Sequence, residues 1–302
     1  MCWLRLSIIQ LKLQVRIMKD KSRILAIEAH PDDLVYFYGG YIAKMVDEGH
    51  EIRVITLTTG DQSTVDPTLP RERIEAIMRE EHDEAMNIIG ITDQKYLEGF
   101  TNHFIFSAEQ KLRLREILIQ EIRKFKPDTV ITFDIADIFE ENPDHRVLAQ
   151  IGMQAAAFAA YPLVHPEHKN YGLEPHFVGR MLLAPTRNPN VFVDISEEPL
   201  ERKKKAGAAY ASQLDLMITE LEKRLITMGL NPDLDDISND DLWDTICESM
   251  AEETAQEAME FYSRNVELAP KVPMQFAEAF RMQYLGSVEK VRDMLPKECL
   301  VL

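Results

Sequence analysis

Cysteine is scarce in this chain. Cys2, Cys247 and Cys299 are scattered and form neither a CxxC pair nor an even-numbered framework. That excludes a disulfide scaffold and a cysteine-held zinc, and it predicts a reducing, cytoplasmic setting. Positive charge is short as well: 34 Lys and Arg against 51 Asp and Glu leave a formal charge of −17 at pH 7. Nucleic acid and anionic membrane both require a basic footprint, so neither is expected as a partner. No GxGxxG follows the first apolar run, where the turn reads His30-Pro31-Asp32-Asp33 and Gly39-Gly40 come later. This argues against a dinucleotide-binding crossover. The first seventeen residues are apolar but interrupted by Arg5, Lys12 and Arg16, too short and too charged to span a bilayer and without a signal-peptide pattern.

What is present is a run of strand, loop and helix signals long enough for one large α/β domain. Ile24–Glu28 reads as a buried strand, followed by the His-Pro-Asp-Asp turn and a helix opened by Gly39-Gly40. Ile52–Thr58 is the second strand, which makes a βαβ unit and a parallel sheet. Arg71–Ile89 has helical spacing and stops at Gly90; Lys95–Leu97 is a short strand and Ala108–Phe125 a helix. Thr129–Phe133 is a third buried run, ahead of Asn142-Pro143-Asp144-His145 and an Ala-rich helix over Arg146–Phe158. Further on come an edge strand at Phe192–Ile195, a long helix from Pro199 to about Thr227, and an acidic stretch from Asp233 to Glu260 without one basic residue. The expected fold is a doubly wound, Rossmann-like, mostly parallel sheet with helices on both faces and a C-terminal helical acidic segment. Residues 1–18 are read as an extension outside the fold. Residues 19–302 are read as a single domain with an acidic helical insert at about 214–262, either a solvated face or an oligomer contact.

The chemistry gathers at two loops. In an open α/β sheet, loops leaving the carboxyl ends of strands meet in one crevice, and ligands bind there. His30, Asp33 and His145 supply the two imidazoles and one carboxylate of a catalytic metal site with an open position, a set that accommodates iron, manganese or cobalt as well as zinc. Asp32 then stands beside the metal as a spare carboxylate, able to take a proton from water. The plainer reading is that Asp32, Asp33 and Asp144 cap helices. Two such motifs, each at the end of a buried strand, favour the metal.

The residues Ala29-His30-Pro31-Asp32-Asp33, the Gly-Gly pair and the distal Pro143-Asp144-His145-Arg146 resemble the PIG-L/LmbE-like family of zinc-dependent N-acetylglucosaminyl deacetylases. The resemblance extends through Gly60-Asp61, Glu81, Ala85, Lys203, Tyr210, Ser212 and Gln213 to Ala277–Phe280, spanning about residues 22–282 without the acidic segment. It implies zinc on His30, Asp33 and His145, with a zinc-bound water as nucleophile and Asp32 as general base. The implied substrate is a small amino-sugar amide that loses an N-acyl group, acetyl by the resemblance, and the implied state is a homo-oligomer. Four positions depart from the pattern. Asn142 replaces a histidine that stabilises the oxyanion or protonates the leaving amine; an amide can donate a hydrogen bond there but cannot deliver a proton at neutral pH. Leu34 replaces an acid, Asn102 an aspartate, and Met78 an arginine, with Arg79 one residue on. The candidates for the missing imidazole are His103, His165, His168 and His176, with Tyr161 and Tyr210 as phenols. The alternative reading is a metal- or sugar-binding member of the same fold with no activity or an altered one.

Overall fold

The first strand, β1 (Arg23–Glu28), shows how the molecule is layered. Ile24 and Ala26 join one hydrophobic cluster, while Leu25 and Ile27 join another on the opposite side of the sheet. A strand buried on both faces must be apolar throughout, as this one is. A computed structural model of the chain describes residues 21–302, apart from 101–106, 233, 235–236 and 301. The extension at 1–18 therefore lies outside the described residues, as do Asn102, His103, Asp233, Asp235 and Asp236.

In chain order β1 is followed by α1 (Asp33–Asp47), β2 (Glu51–Thr56), α2 (Arg71–Ile89), β3 (Gln94–Tyr96), α3 (Ala108–Phe125), β4 (Thr129–Thr132) and α4 (Pro143–Phe158). Then come β5 (Arg180–Leu183), β6 (Val191–Asp194), α5 (Glu198–Ala208), α6 (Ala211–Thr227), α7 (Asn239–Arg264) and β7 (Ala277–Tyr284). The strands form one sheet in the order β3-β2-β1-β4-β5-β7-β6. Neighbours from β3 to β5 are parallel, and β7 runs antiparallel to both β5 and β6. The sheet is thus mostly parallel with helices on both faces, as expected. β1 and β4 lie side by side where the strand order reverses, so the loops leaving them open into the same crevice.

Three local expectations change. Gly39-Gly40 do not open a helix; α1 already begins at Asp33 and runs past them, kinked at Tyr38 (φ −149°). The pair permits a close approach instead: a Cβ on Gly40 would lie 2.9 Å from Ile195 Cδ1. There the amides of Gly40 and Tyr41 donate to the buried Glu278 carboxylate at 3.1 and 2.6 Å, and Lys203 Nζ donates to it at 2.7 Å. The helix expected from Pro199 to Thr227 is two helices, because Tyr210 leaves helical geometry and sends its hydroxyl to the Pro31 carbonyl at 2.6 Å. Strands β5 and β7 were not expected; both are buried inside the sheet.

The acidic stretch falls on α7, which does not stand free of the fold. Trp243, Cys247, Ala251, Ala255 and Ala258 recur at helical spacing and are buried. Trp243 donates to the Lys204 carbonyl at 2.9 Å and packs on Gly207, where any Cβ would meet its ring at 2.2 Å. Lys204 Nζ binds Glu248 at 2.7 Å and lies 3.2 Å from Asp244. The remaining acids of α7 face solvent. Among the described residues no helix is long and apolar enough to cross a membrane.

Candidate metal centre

His30 and Asp33 are fixed by the turn that joins β1 to α1. Asp33 Oδ2 accepts from the amides of Ala29 at 3.1 Å and His30 at 2.7 Å, which folds the carboxylate back toward the imidazole three residues earlier. Asp32 sits at the N-cap but makes no capping bond, so the capping reading does not explain it. At the second loop the cap is Asn142, whose Oδ1 accepts from Asp144 N at 2.9 Å. Asp144 is not the cap, and the next residue, His145, projects from the first turn of α4.

Across 115 residues of sequence the two loops meet. His30 Nδ1 and His145 Nε2 lie 3.1 Å apart. Asp33 Oδ2 is 3.4 Å from the first nitrogen and Asp33 Oδ1 is 3.2 Å from the second. One ligand atom from each of these three buried residues lies within 4.8 Å of the others. The far side of each ring faces another carboxylate: His30 Nε2 is 3.2 Å from Asp144 Oδ2, and His145 Nδ1 is 3.1 Å from Glu140 Oε2. An imidazole that gives its outer N–H to a carboxylate turns a lone pair inward, and this is how histidine ligands are oriented. Two inward lone pairs beside a carboxylate repel one another unless a cation or added protons sit between them. The donor set therefore fits a divalent metal.

The electrostatics agree. Burial opposes charge on the His30 ring, yet the Asp33 charge and the ring's hydrogen bonds to Asp144 and Asp33 lift its pKa well above the ordinary histidine value. Burial likewise works against His145, but Asp33 and Glu140 raise it to about 9. Burial acts to raise Asp33, and the two imidazoles overcome it and hold the carboxyl far below its usual range. Asp32 goes the other way, raised to about 6 by burial and then by its neighbour Asp33. Phe133 stacks on His145 at 4.0 Å between ring centroids and closes one wall.

The centre opens into a cleft of about 690 Å³. Asp32, Asn142, Glu141 and the 62–65 loop line it, and α6 contributes Gln213, Leu216, Met217 and Glu220. No lysine or arginine lines it among the described residues. Of the imidazoles named as replacements for the missing histidine, the three among the described residues lie away from the cleft. His176 Nε2 binds the Pro127 carbonyl at 2.7 Å, and His165 pairs with Glu167 at 3.0 Å. His168 is buried against Arg123. Tyr161 is exposed, and Tyr210 is buried beneath Pro31.

A second group of possible ligands, Glu116, His165, Glu167 and His168, is less suited to a metal. Arg123 Nη1 reaches His168 Nδ1 at 3.1 Å while the other guanidinium N–H groups cap the carbonyls of Ala159, Tyr161, Val164 and His165. With Nδ1 accepting from a cation, the proton of the neutral ring stays on Nε2. Sequence reasoning missed Glu140, whose place in a run of exposed acids carried no signal. It also missed His82 as a partner of the loop; this buried ring is 2.7 Å from the Pro31 carbonyl, beside Tyr210.

Comparison with known proteins places this geometry in context. The family described as PIG-L, GlcNAc-PI de-N-acetylase, matches residues 25–156, which include all three candidate ligands. The diacetylchitobiose deacetylase of Thermococcus kodakarensis is 31% identical over 212 residues, covering 70% of this chain and 78% of that one. Among solved structures, the N,N'-diacetylchitobiose deacetylase of Pyrococcus horikoshii, complexed with its inhibitor MPG, superposes with a TM-score of 0.70 at 25% identity, covering 94% of this chain and 92% of that one. The 4-carboxy-2-hydroxymuconate hydratase GalB of Pseudomonas putida has a TM-score of 0.62 at 18% identity, covering 88% and 97%, a likeness of fold alone.

Proposed function

Because this chain belongs to the PIG-L family of de-N-acetylases, we propose that it is a metal-dependent N-deacetylase of N-acetylglucosamine-containing small molecules. The observation that carries the reading is the convergence of His30 Nδ1, His145 Nε2 and the Asp33 carboxylate, with a carboxylate behind each ring. Those three residues would hold the metal, and zinc suits two imidazoles with one carboxylate. A metal in such a site supplies Lewis acidity toward the amide carbonyl and acidifies water.

The chain's own groups do the rest. Asp144 bonds the outer nitrogen of the His30 ring, and Glu140 stands 3.1 Å from that of His145. Asp32 faces the cleft and, among the described residues, has neither a capping bond nor an ion pair to hold it, so it takes the proton of the attacking water and returns it to the leaving amine. No imidazole other than the two candidate ligands lines the cleft among the described residues, which leaves this return to Asp32. Asn142 uses Oδ1 for its cap and keeps its NH₂ as a donor for the tetrahedral oxygen. That donor also answers the non-catalytic alternative, since the Asn142 departure removes an acid but not the hydrogen bond. A cytoplasmic location, supported by the scattered cysteines, and a homo-oligomeric state, implied by the resemblance, belong to the same proposal.

The test is acetate release from N,N'-diacetylchitobiose with metal content measured in parallel. Wild type is expected to carry about one zinc per chain and to turn over. Asp32→Asn is expected to keep the metal and lose at least ~100-fold in kcat, the lower end of general acid–base contributions. His145→Ala is expected to lose both. Full turnover by Asp32→Asn would refute the base assignment.

A further inference from the structure

Beside the metal centre lies a second cavity, of about 420 Å³. It shares Glu140, Pro143 and His145 with the main cleft, so the two meet at a candidate ligand. Half of its lining is apolar, including Phe133 and Ile135 after β4, Ile138 in the following loop, Ala149 on α4, and Pro185; the other half is polar or charged. Three large apolar side chains of that loop stand in solvent, with Ile135 45%, Ile138 72% and Phe139 65% exposed. Such side chains concentrated beside a reaction centre mark a binding surface more often than chance exposure.

The three carboxylates of this cavity are each engaged. Asp134 accepts from Arg281 Nε at 2.8 Å, from Thr186 Oγ1 at 2.6 Å and from the Ala136 amide at 2.9 Å. Asp137 lies 3.4 Å from Arg187, whose guanidinium covers the Phe139 ring. Glu140 faces His145. The cations Lys111 and Arg146 also line the cavity, whereas the main cleft has neither lysine nor arginine. With its three carboxylates paired, the second cavity is left with apolar side chains and two cations, whereas the main cleft is acidic among the described residues.

We propose that this second cavity is the acyl subsite, and that the enzyme accepts N-acyl amino sugars whose acyl chain is longer than acetyl. The inference rests on the deacetylase reading above and names the acyl half of its substrate. Hydrolysis breaks the amide C–N bond and forms a C–O bond from water. The proton goes to the amine, and the acyl chain leaves as a carboxylate. The acidic cleft suits the ammonium product, and the second cavity, with its apolar half and the cations Lys111 and Arg146, suits a fatty carboxylate. An acetyl group would leave most of the cavity unfilled.

The experiment uses the zinc-loaded full chain and glucosamine disaccharides N-acylated with acetyl, butanoyl, hexanoyl or octanoyl groups, with the freed amine measured in every case. kcat/KM is expected to rise from acetyl to hexanoyl by roughly two- to fourfold per added methylene pair or better, in line with burial of methylene groups in a half-open pocket. Ile138→Asn, at an exposed position where folding is not at stake, is expected to lower the hexanoyl-to-acetyl ratio several-fold. Acetyl release with hexanoyl turned over at least tenfold more slowly would overturn the subsite and leave the deacetylase reading standing. An unchanged ratio in Ile138→Asn would overturn the placement of the chain in this cavity. No release from any of the four would overturn both readings.

Discussion

At residue 142 one side chain has two duties that a substitution can separate. Its Oδ1 caps α4, and its NH₂ is the proposed oxyanion donor. Asn142→Asp keeps a capping oxygen and removes the donor. We expect stability to stay within about 0.5 kcal/mol, because Asn and Asp cap about equally well. kcat is expected to fall on the order of 100-fold, the usual cost of one lost oxyanion donor. Urea unfolding and steady-state kinetics on the same preparation check both; a kcat within twofold of wild type would remove Asn142 from the chemistry. The candidate ligands were legible in the sequence because each motif is local: His30 and Asp33 share one turn, and His145 sits in the first turn of a helix. Glu140 was not legible. Nothing in Phe139-Glu140-Glu141-Asn142 distinguishes the acid that meets the His145 ring from the exposed acid beside it.

Among the elements, α1, α5 and β7 are joined by one buried ion pair. Lys203 and Glu278 are nearly inaccessible, and Glu278 also takes the amides that the kinked α1 turns toward it. Lys203→Met would leave that carboxylate buried without its cation. We expect a loss of about 3–5 kcal/mol, the cost of breaking rather than replacing a buried pair. Lys203→Met combined with Glu278→Gln is expected to recover part of it. A single-variant loss below about 1 kcal/mol in chemical denaturation would show that the pair is solvated. The pair also explains what the sequence concealed. A buried Glu in β7 interrupts the alternation of Phe280, Met282 and Tyr284, so the strand did not read as one. Gly39-Gly40 read as a helix start because the partner that requires them, Ile195, is remote in sequence. The long helices α2 and α3 read cleanly, since their apolar spacing and stop signals are contained in a single segment.

For the molecule as a whole, the buried His82 ring ties stability to pH. Burial lowers its pKa from the ordinary value to about 4, so the unfolded chain takes up a proton before the folded one does. Its contribution is complete above pH ~6.5 and is lost as pH falls from there toward about 4. Between pH 8 and pH 5 the loss from this ring is about 2 kcal/mol. The metal-loaded protein is the form to measure, because unligated His30 and His145, with raised values, would oppose the trend. Comparing wild type with His82→Asn, which retains a donor for the Pro31 carbonyl, isolates the ring. Equal pH slopes in the two would contradict the burial.

Tyr210 has a consequence for how such an enzyme can be rebuilt. The three candidate ligands all lie within the first 145 residues, while the cleft wall on α6 begins at Ala211. Tyr210 at the head of that wall bonds to Pro31, in the middle of the first ligand loop, and Ser212 bonds to Glu81 of α2 at 2.6 Å. A chimera that takes its α6 from a relative, in order to inherit that relative's substrate, therefore also replaces a support of the catalytic turn. Recombination will preserve turnover only where the junction keeps Tyr210 and Ser212, and the crossover point belongs after residue 213.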